Sequence, residues 1–107
     1  MASGEDRMEK IIVMLRRDPD DSFLKHALAL EYVKAGQDDM ARTLFETILK
    51  NDPDFLGSYY QLGKLLERNG DLNAASELYG DGMKTAARAG DRRTFNELQA
   101  AQENLAF

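Results

Sequence analysis

His26 is the lone histidine of the sequence, and histidine is the side chain that most readily exchanges a proton near neutral pH. A zinc site would need a second histidine or a cysteine at ligand spacing, and a hydrolytic triad would need a serine arranged beside it. The sequence offers neither, so His26 reads as a surface or groove residue rather than a catalyst. Asp18, Asp20 and Asp21 resemble a calcium-binding run but lack the central glycine and closing glutamate of such a loop. Asp52 and Asp54 repeat the pattern, and helix capping accounts for both sets. Gly80-Asp81-Gly82 has the glycines of a phosphate loop without its lysine and following Ser/Thr. With no cysteine in the chain, disulfides, thiol catalysis and cysteine metal sites drop out together. No nucleophile, metal set or cofactor loop emerges, so neither catalysis nor a bound cofactor is expected.

Charge narrows the partners. A net charge of −5 argues against nonspecific nucleic-acid binding, because phosphates demand a dense Lys/Arg surface. Arg16-Arg17 and Arg92-Arg93 are the adjacent basic pairs, and each lies beside a helix end. The first pair, at a C-terminus, would meet terminal carbonyls favourably. Ile11-Ile12-Val13-Met14-Leu15 is the nearest approach to a membrane or secretory segment, yet it is short and flanked by Glu9-Lys10 and Arg16-Arg17. It reads as one buried helix face, and a soluble, cytoplasmic protein with no membrane partner is the expectation. Hydrophobic content of 43%, charged content of 31% and 2 prolines suit one small folded domain in 107 residues.

The elements that position these residues repeat. Asp18-Pro19-Asp20 returns as Asp52-Pro53-Asp54, 34 positions later, and Gly36 returns as Gly70. The same shift lays Leu28 on Leu62, Ala29 on Gly63, Lys34 on Arg68, Ala41 on Ala75, Leu44 on Leu78, Phe45 on Tyr79 and Lys50 on Lys84. Apolar or small residues recur where helices would touch, and glycine or proline where they would end, so one helical hairpin is being reused. Leu28-Ala29, Tyr32, Ala41, Phe45 and Pro53, followed by Tyr59, Leu62-Gly63, Leu66, Ala75 and Tyr79, resemble the tetratricopeptide repeat. Lys25 at the bulky aromatic position and Ala87 at the closing proline depart from that pattern.

The resemblance implies an all-α fold, a right-handed stack of antiparallel helical hairpins with about six helices. Its parts are a partial-repeat helix at 5–17, a first repeat at 20–53, a second at 54–89 and a capping helix at 91–105, where Phe95, Leu98, Ala101 and Leu105 recur at helical spacing. Gly36 is placed to stop one helix in a left-handed cap, Asp38 to start its partner, and the next pair spans about 54–69 and 71–89. Small Ala29, Gly63, Ala41 and Ala75 would let paired helices approach closely. Gly82 falls where the family has a small residue, whereas Gly80 has no evident contact to serve; each interior glycine costs about 1 kcal/mol relative to alanine.

In such a stack the first helix of each pair lines a concave face. By resemblance, Phe23, His26, Leu30, Val33 and Lys34 occupy that face in the first unit, and Gly57, Tyr60, Lys64, Glu67 and Arg68 in the second. The implied function is a protein–protein interaction module or scaffold that binds a peptide or partner helix. The alternative is structural self-assembly, or a complex subunit without peptide capture. Lys34, Lys64 and Arg68 beside Phe23 and Tyr60 suit an acidic partner with an apolar anchor.

Overall fold

The computed structural model describes residues 4–107, with side chains from Asp6 onward. Six helices follow one another: α1 (Gly4–Arg17), α2 (Ser22–Lys34), α3 (Asp38–Asn51), α4 (Gly57–Arg68), α5 (Leu72–Ala89) and α6 (Arg92–Glu103). No strand occurs among the described residues. Each helix packs against its neighbours in the chain, which folds them into a stack of antiparallel hairpins.

Punctuation is chemical. Gly36, Gly70 and Gly90 have φ of 74°, 84° and 71°, the left-handed region where an L side chain is strained. The amide following each glycine donates back to a helix carbonyl: Gln37 to Tyr32, Asp71 to Leu66 and Asp91 to Ala86, all at 2.9 Å. A Cβ at these glycines would meet nothing within 4 Å, so their requirement is conformational and not steric. At the opposite ends, Asp21 accepts from the Leu24 amide at 2.9 Å, Asp71 from Ala74 at 3.4 Å and Asp91 from Thr94 at 3.0 Å. The amide and hydroxyl of Thr94 hold the Asp91 carboxyl below the usual carboxylate range.

Helix α3 starts at Asp38 as expected, though without the aspartate as its cap, and α4 starts later than expected. Asp38 does not cap α3: Gln37 stands at the cap without a side-chain hydrogen bond, and the Asp38 carboxylate instead receives Arg68 at 2.6 Å. The helix expected from 54 begins at Gly57, because Phe55 first donates to the Asp52 carbonyl in a turn. The Tyr59 hydroxyl fastens that turn, donating to the Pro53 carbonyl at 2.6 Å.

The core follows the small positions. Ala29 and Ala41 are wholly buried with Phe45, and Ala75 with Tyr79. A Cβ on Gly63 would run into the Tyr79 ring, so glycine is required where the larger aromatic replaces Phe45. Burial of Phe45, Ile48 and Leu98 contributes about 1.5 to 3 kcal/mol each. Among the described residues no buried side-chain nitrogen or oxygen lacks a partner.

Proline controls where the last helix sits. Pro53 cannot continue a helix, and α3 ends two residues before it at Asn51. Ala87 stands at the equivalent point, and α5 runs on to Ala89. The longer helix delays α6, whose buried Leu98 comes 36 positions after Leu62 instead of 34. Gly82 seats it there, since a Cβ on Gly82 would lie 2.8 Å from both Leu98 Cδ1 and Tyr59 Cβ. Gly80 also faces α6, with Gln102 Nε2 at 3.3 Å from the Cβ it lacks.

Candidate functional site

Of the residues read as a concave face, Tyr60, Lys64 and Glu67 come together. They project from α4 at helical spacing. Lys64 Nζ lies 5.5 Å from the centre of the Tyr60 ring, within cation–π range, and 3.6 Å from a Glu67 carboxylate oxygen. Glu67 also accepts the buried Tyr79 hydroxyl at 3.1 Å. Burial first, and the Glu67 carboxylate second, push the Tyr79 phenol far above its ordinary pKa. Tyr79 is thereby fixed as a neutral donor beneath Tyr60, the two rings 6.5 Å apart.

A cleft of about 490 Å³ opens between this group and α6, lined by Tyr60, Lys64, Glu97, Ala100, Ala101 and Asn104. Glu97, Ala100 and Asn104 were absent from the sequence reading, which named Ala101 only as part of a capping helix at 91–105. Their signal was weak because α6 breaks the 34-residue register. Ala100 and Asn104 become equivalent to Lys64 and Arg68 only after the extra two residues are counted.

The other expected residues go elsewhere. His26 is not a surface group: its Nδ1 lies 2.9 Å from Ser58 Oγ, and its ring packs against Phe45 and Phe55 with centroids 5.5 and 5.3 Å away. Burial lowers its pKa and favours the neutral ring. Leu30 and Val33 are half-buried against the core. Phe23 is 71% exposed in the first turn of α2. Gly57 lies beside His26, whose ring carbon would be 3.6 Å from a Cβ there.

Intramolecular carboxylates balance the three cations. Lys34 pairs with Glu31 at 3.1 Å, Lys64 with Glu67, and Arg68 with Asp38. Glu31 was also missed by the sequence reading. Its side chain is only 8% exposed and receives Arg7 of α1 at 3.5 Å as well as Lys34, joining α1 to α2. The inner face is therefore a mosaic of compensated charge with one aromatic platform, not a uniformly basic strip.

Comparison with known proteins agrees with the fold. A family model described as tetratricopeptide repeat matches residues 44–75. A TPR repeat-containing protein of Pseudomonas aeruginosa is 29% identical over 91 residues, covering 85% of this chain and 87% of that one. The solution structure of a tetratricopeptide repeat domain protein from Salinibacter ruber superposes with a TM-score of 0.79 at 38% identity, covering 81% of this chain and 88% of the other. The TPR2B domain of yeast Sti1, solved as a pHsp70 complex, shares the fold with a TM-score of 0.86 at 15% identity over 94% and 80% of the two chains.

Proposed function

Since this chain belongs to the tetratricopeptide repeat family, we propose that it is a protein-interaction module whose α4/α6 cleft receives a segment of a partner protein. The cleft itself carries the reading. Its volume of about 490 Å³ lies within the usual range for a binding site, and it joins an aromatic surface, two alanines and convergent polar groups. An apolar anchor would cover Tyr60, Ala100 and Ala101. A carboxylate beside that anchor would draw Lys64 from Glu67, exchanging one ion pair for another, while Asn104 offers both donor and acceptor to a peptide backbone. The pHsp70 complex of the yeast fold neighbour supports a peptide as the ligand class.

The test begins with partners retained by the immobilised chain and proceeds to titration calorimetry with the purified segment. Tyr60→Ala should weaken binding by removing contact area, and Lys64→Glu should slow association and reduce its salt dependence. Thr43→Ala, on the exposed side of α3, should leave affinity unchanged. A captured partner whose affinity ignores both cleft substitutions would refute this site.

A further inference from the structure

Among the described residues, α1 has its packing contact with one helix, α2. Gly4–Arg17 is Asp38–Asn51 displaced by one 34-residue period, so α1 is the second helix of a hairpin whose first helix does not precede it among the described residues. Its counterparts are sandwiched: α3 packs on α2 and α4, and α5 on α4 and α6. By contrast, α1 packs on α2 and none of its described side chains is buried. Val13 and Met14 are 46% and 45% exposed. Around them α1 carries exposed Asp6 and Glu9 early in the helix and exposed Arg16 and Arg17 at its end.

On the same molecule, α3 and α5 border an open groove. Two clefts of about 470 and 380 Å³ run together there, sharing Leu49, Leu78 and Asp81. Leu62 and Leu66 extend the apolar floor. Lys50, Lys84 and Arg88 border the end near the C-termini of α3 and α5. Glu46 and Glu77 border the other end, where Arg42 is occupied by Glu46 at 3.4 Å. Among the described residues, Lys50, Lys84 and Glu77 make no ion pair.

We propose that this groove docks α1 of a second copy of the chain, running antiparallel to α3 and α5. That direction brings Asp6 and Glu9 of the incoming helix to Lys50, Lys84 and Arg88, and Arg16 and Arg17 to Glu77. Lys10 then comes level with Asp81. Val13 and Met14 settle over Leu49 and Leu78. The helix dipoles also oppose one another, placing the positive N-terminal end of α1 where the C-terminal carbonyls of α3 and α5 lie. Lengths agree: the groove follows α5 from Ala74 to Arg88, a rise of about 21 Å, which is the length of a 14-residue helix. Groove and helix are different surfaces of one chain, so the contact is heterologous and each added copy leaves a groove and a helix free. Copies join head to tail.

Sedimentation of the full chain tests this. Wild type should show a weight-average mass that rises with protein concentration and falls with added salt. Lys84→Glu/Arg88→Glu closes the groove and Met14→Glu spoils the helix face; each should weaken association about ten-fold or more, through reversed or desolvated charge. Mixing these two variants should restore a 1:1 dimer that grows no further, since one retains an intact helix and the other an intact groove. Tyr60→Ala should assemble like wild type, which separates this contact from the α4/α6 cleft. Circular dichroism checks that the variants are folded; Lys50→Glu and Val13→Lys replace any that are not. A wild-type chain that stays monomeric at its solubility limit overturns the proposal. So does assembly that survives both variants, or a mixture that remains monomeric.

Discussion

Adding one methyl group at Gly82 should loosen the wall of the cleft, while the same change two residues earlier should do almost nothing. Alanine gains about 1 kcal/mol over glycine in a helix interior, so both substitutions begin with the same advantage. At Gly82 the new Cβ would stand 2.8 Å from Leu98 Cδ1 and Tyr59 Cβ and 2.9 Å from Tyr59 Cγ. Tyr59 Cβ and Cγ lie at the root of the side chain, whose hydroxyl is tied to Pro53, so the ring cannot swing aside. Backbone must move, and overpacking of this kind costs about 1 to 3 kcal/mol. With the tight contact on two helices the upper figure applies, leaving Gly82→Ala destabilised by roughly 2 kcal/mol after the propensity gain. At Gly80 the neighbour is the end of the flexible Gln102 side chain, 3.3 Å away, which donates to the Ser76 carbonyl at 2.9 Å. Losing that hydrogen bond costs about 1 kcal/mol, which cancels the propensity gain. For a domain of this size the difference corresponds to roughly 10 °C in Tm. Thermal unfolding followed by circular dichroism at matched concentration reads it directly. Equal midpoints for the two variants would refute the assigned seat of α6, and Gly82→Ala should also weaken any ligand held between α4 and α6.

Acid sensitivity should be traceable to His26. Burial depresses its folded pKa below the ordinary histidine value of 6.5, so the unfolded chain binds the extra proton first as pH falls. Its contribution is complete above pH 6.5 and declines as pH drops from there towards the folded pKa. Because no other histidine is present, urea midpoints of wild type and His26→Asn should run parallel above that window and converge within it. Midpoints that stay parallel throughout would remove the assignment. Glu31→Gln should detach α1, since it weakens the pairing with both Arg7 and Lys34. Those cations are more than half exposed, and solvent screening limits the loss to about 1 kcal/mol or less. Faster amide exchange confined to α1 is the expected signature; unchanged protection there would count against the clamp.

The sequence made the stack legible because its determinants are local. Gly36 and Gly70 impose their own φ, and Pro53 ends α3 without help from distant residues. Alternating small and aromatic positions at Ala29, Phe45, Gly63 and Tyr79 report which faces must touch. The Lys34–Glu31 and Lys64–Glu67 pairs, three residues apart on their helices, were also open to a local reading. Arg68 meeting Asp38 across 30 positions was not. His26 turned inward for a similar reason: the aromatic rings and the hydroxyl that receive it come from α3, the turn before α4 and α4 itself.

Hiding the cleft took a more instructive route. Repeat logic assigns each residue a place by counting, and counting fails after Ala87, where a missing proline lets α5 continue to Ala89. The displaced α6 still buries Leu98 and Ala101. What changes is the opposite side of the helix, which brings Ala100 and Asn104 to face Tyr60 and Lys64. Two alanines leave room where larger side chains would fill the space, and the nearby cations are already balanced by carboxylates. Recognition in this cleft must then rest on shape and on the exchange of existing ion pairs. An acidic ligand gains there only the difference between its own contact with Lys64 and the Glu67 contact it displaces, which makes the apolar anchor on Tyr60 the larger contributor to affinity.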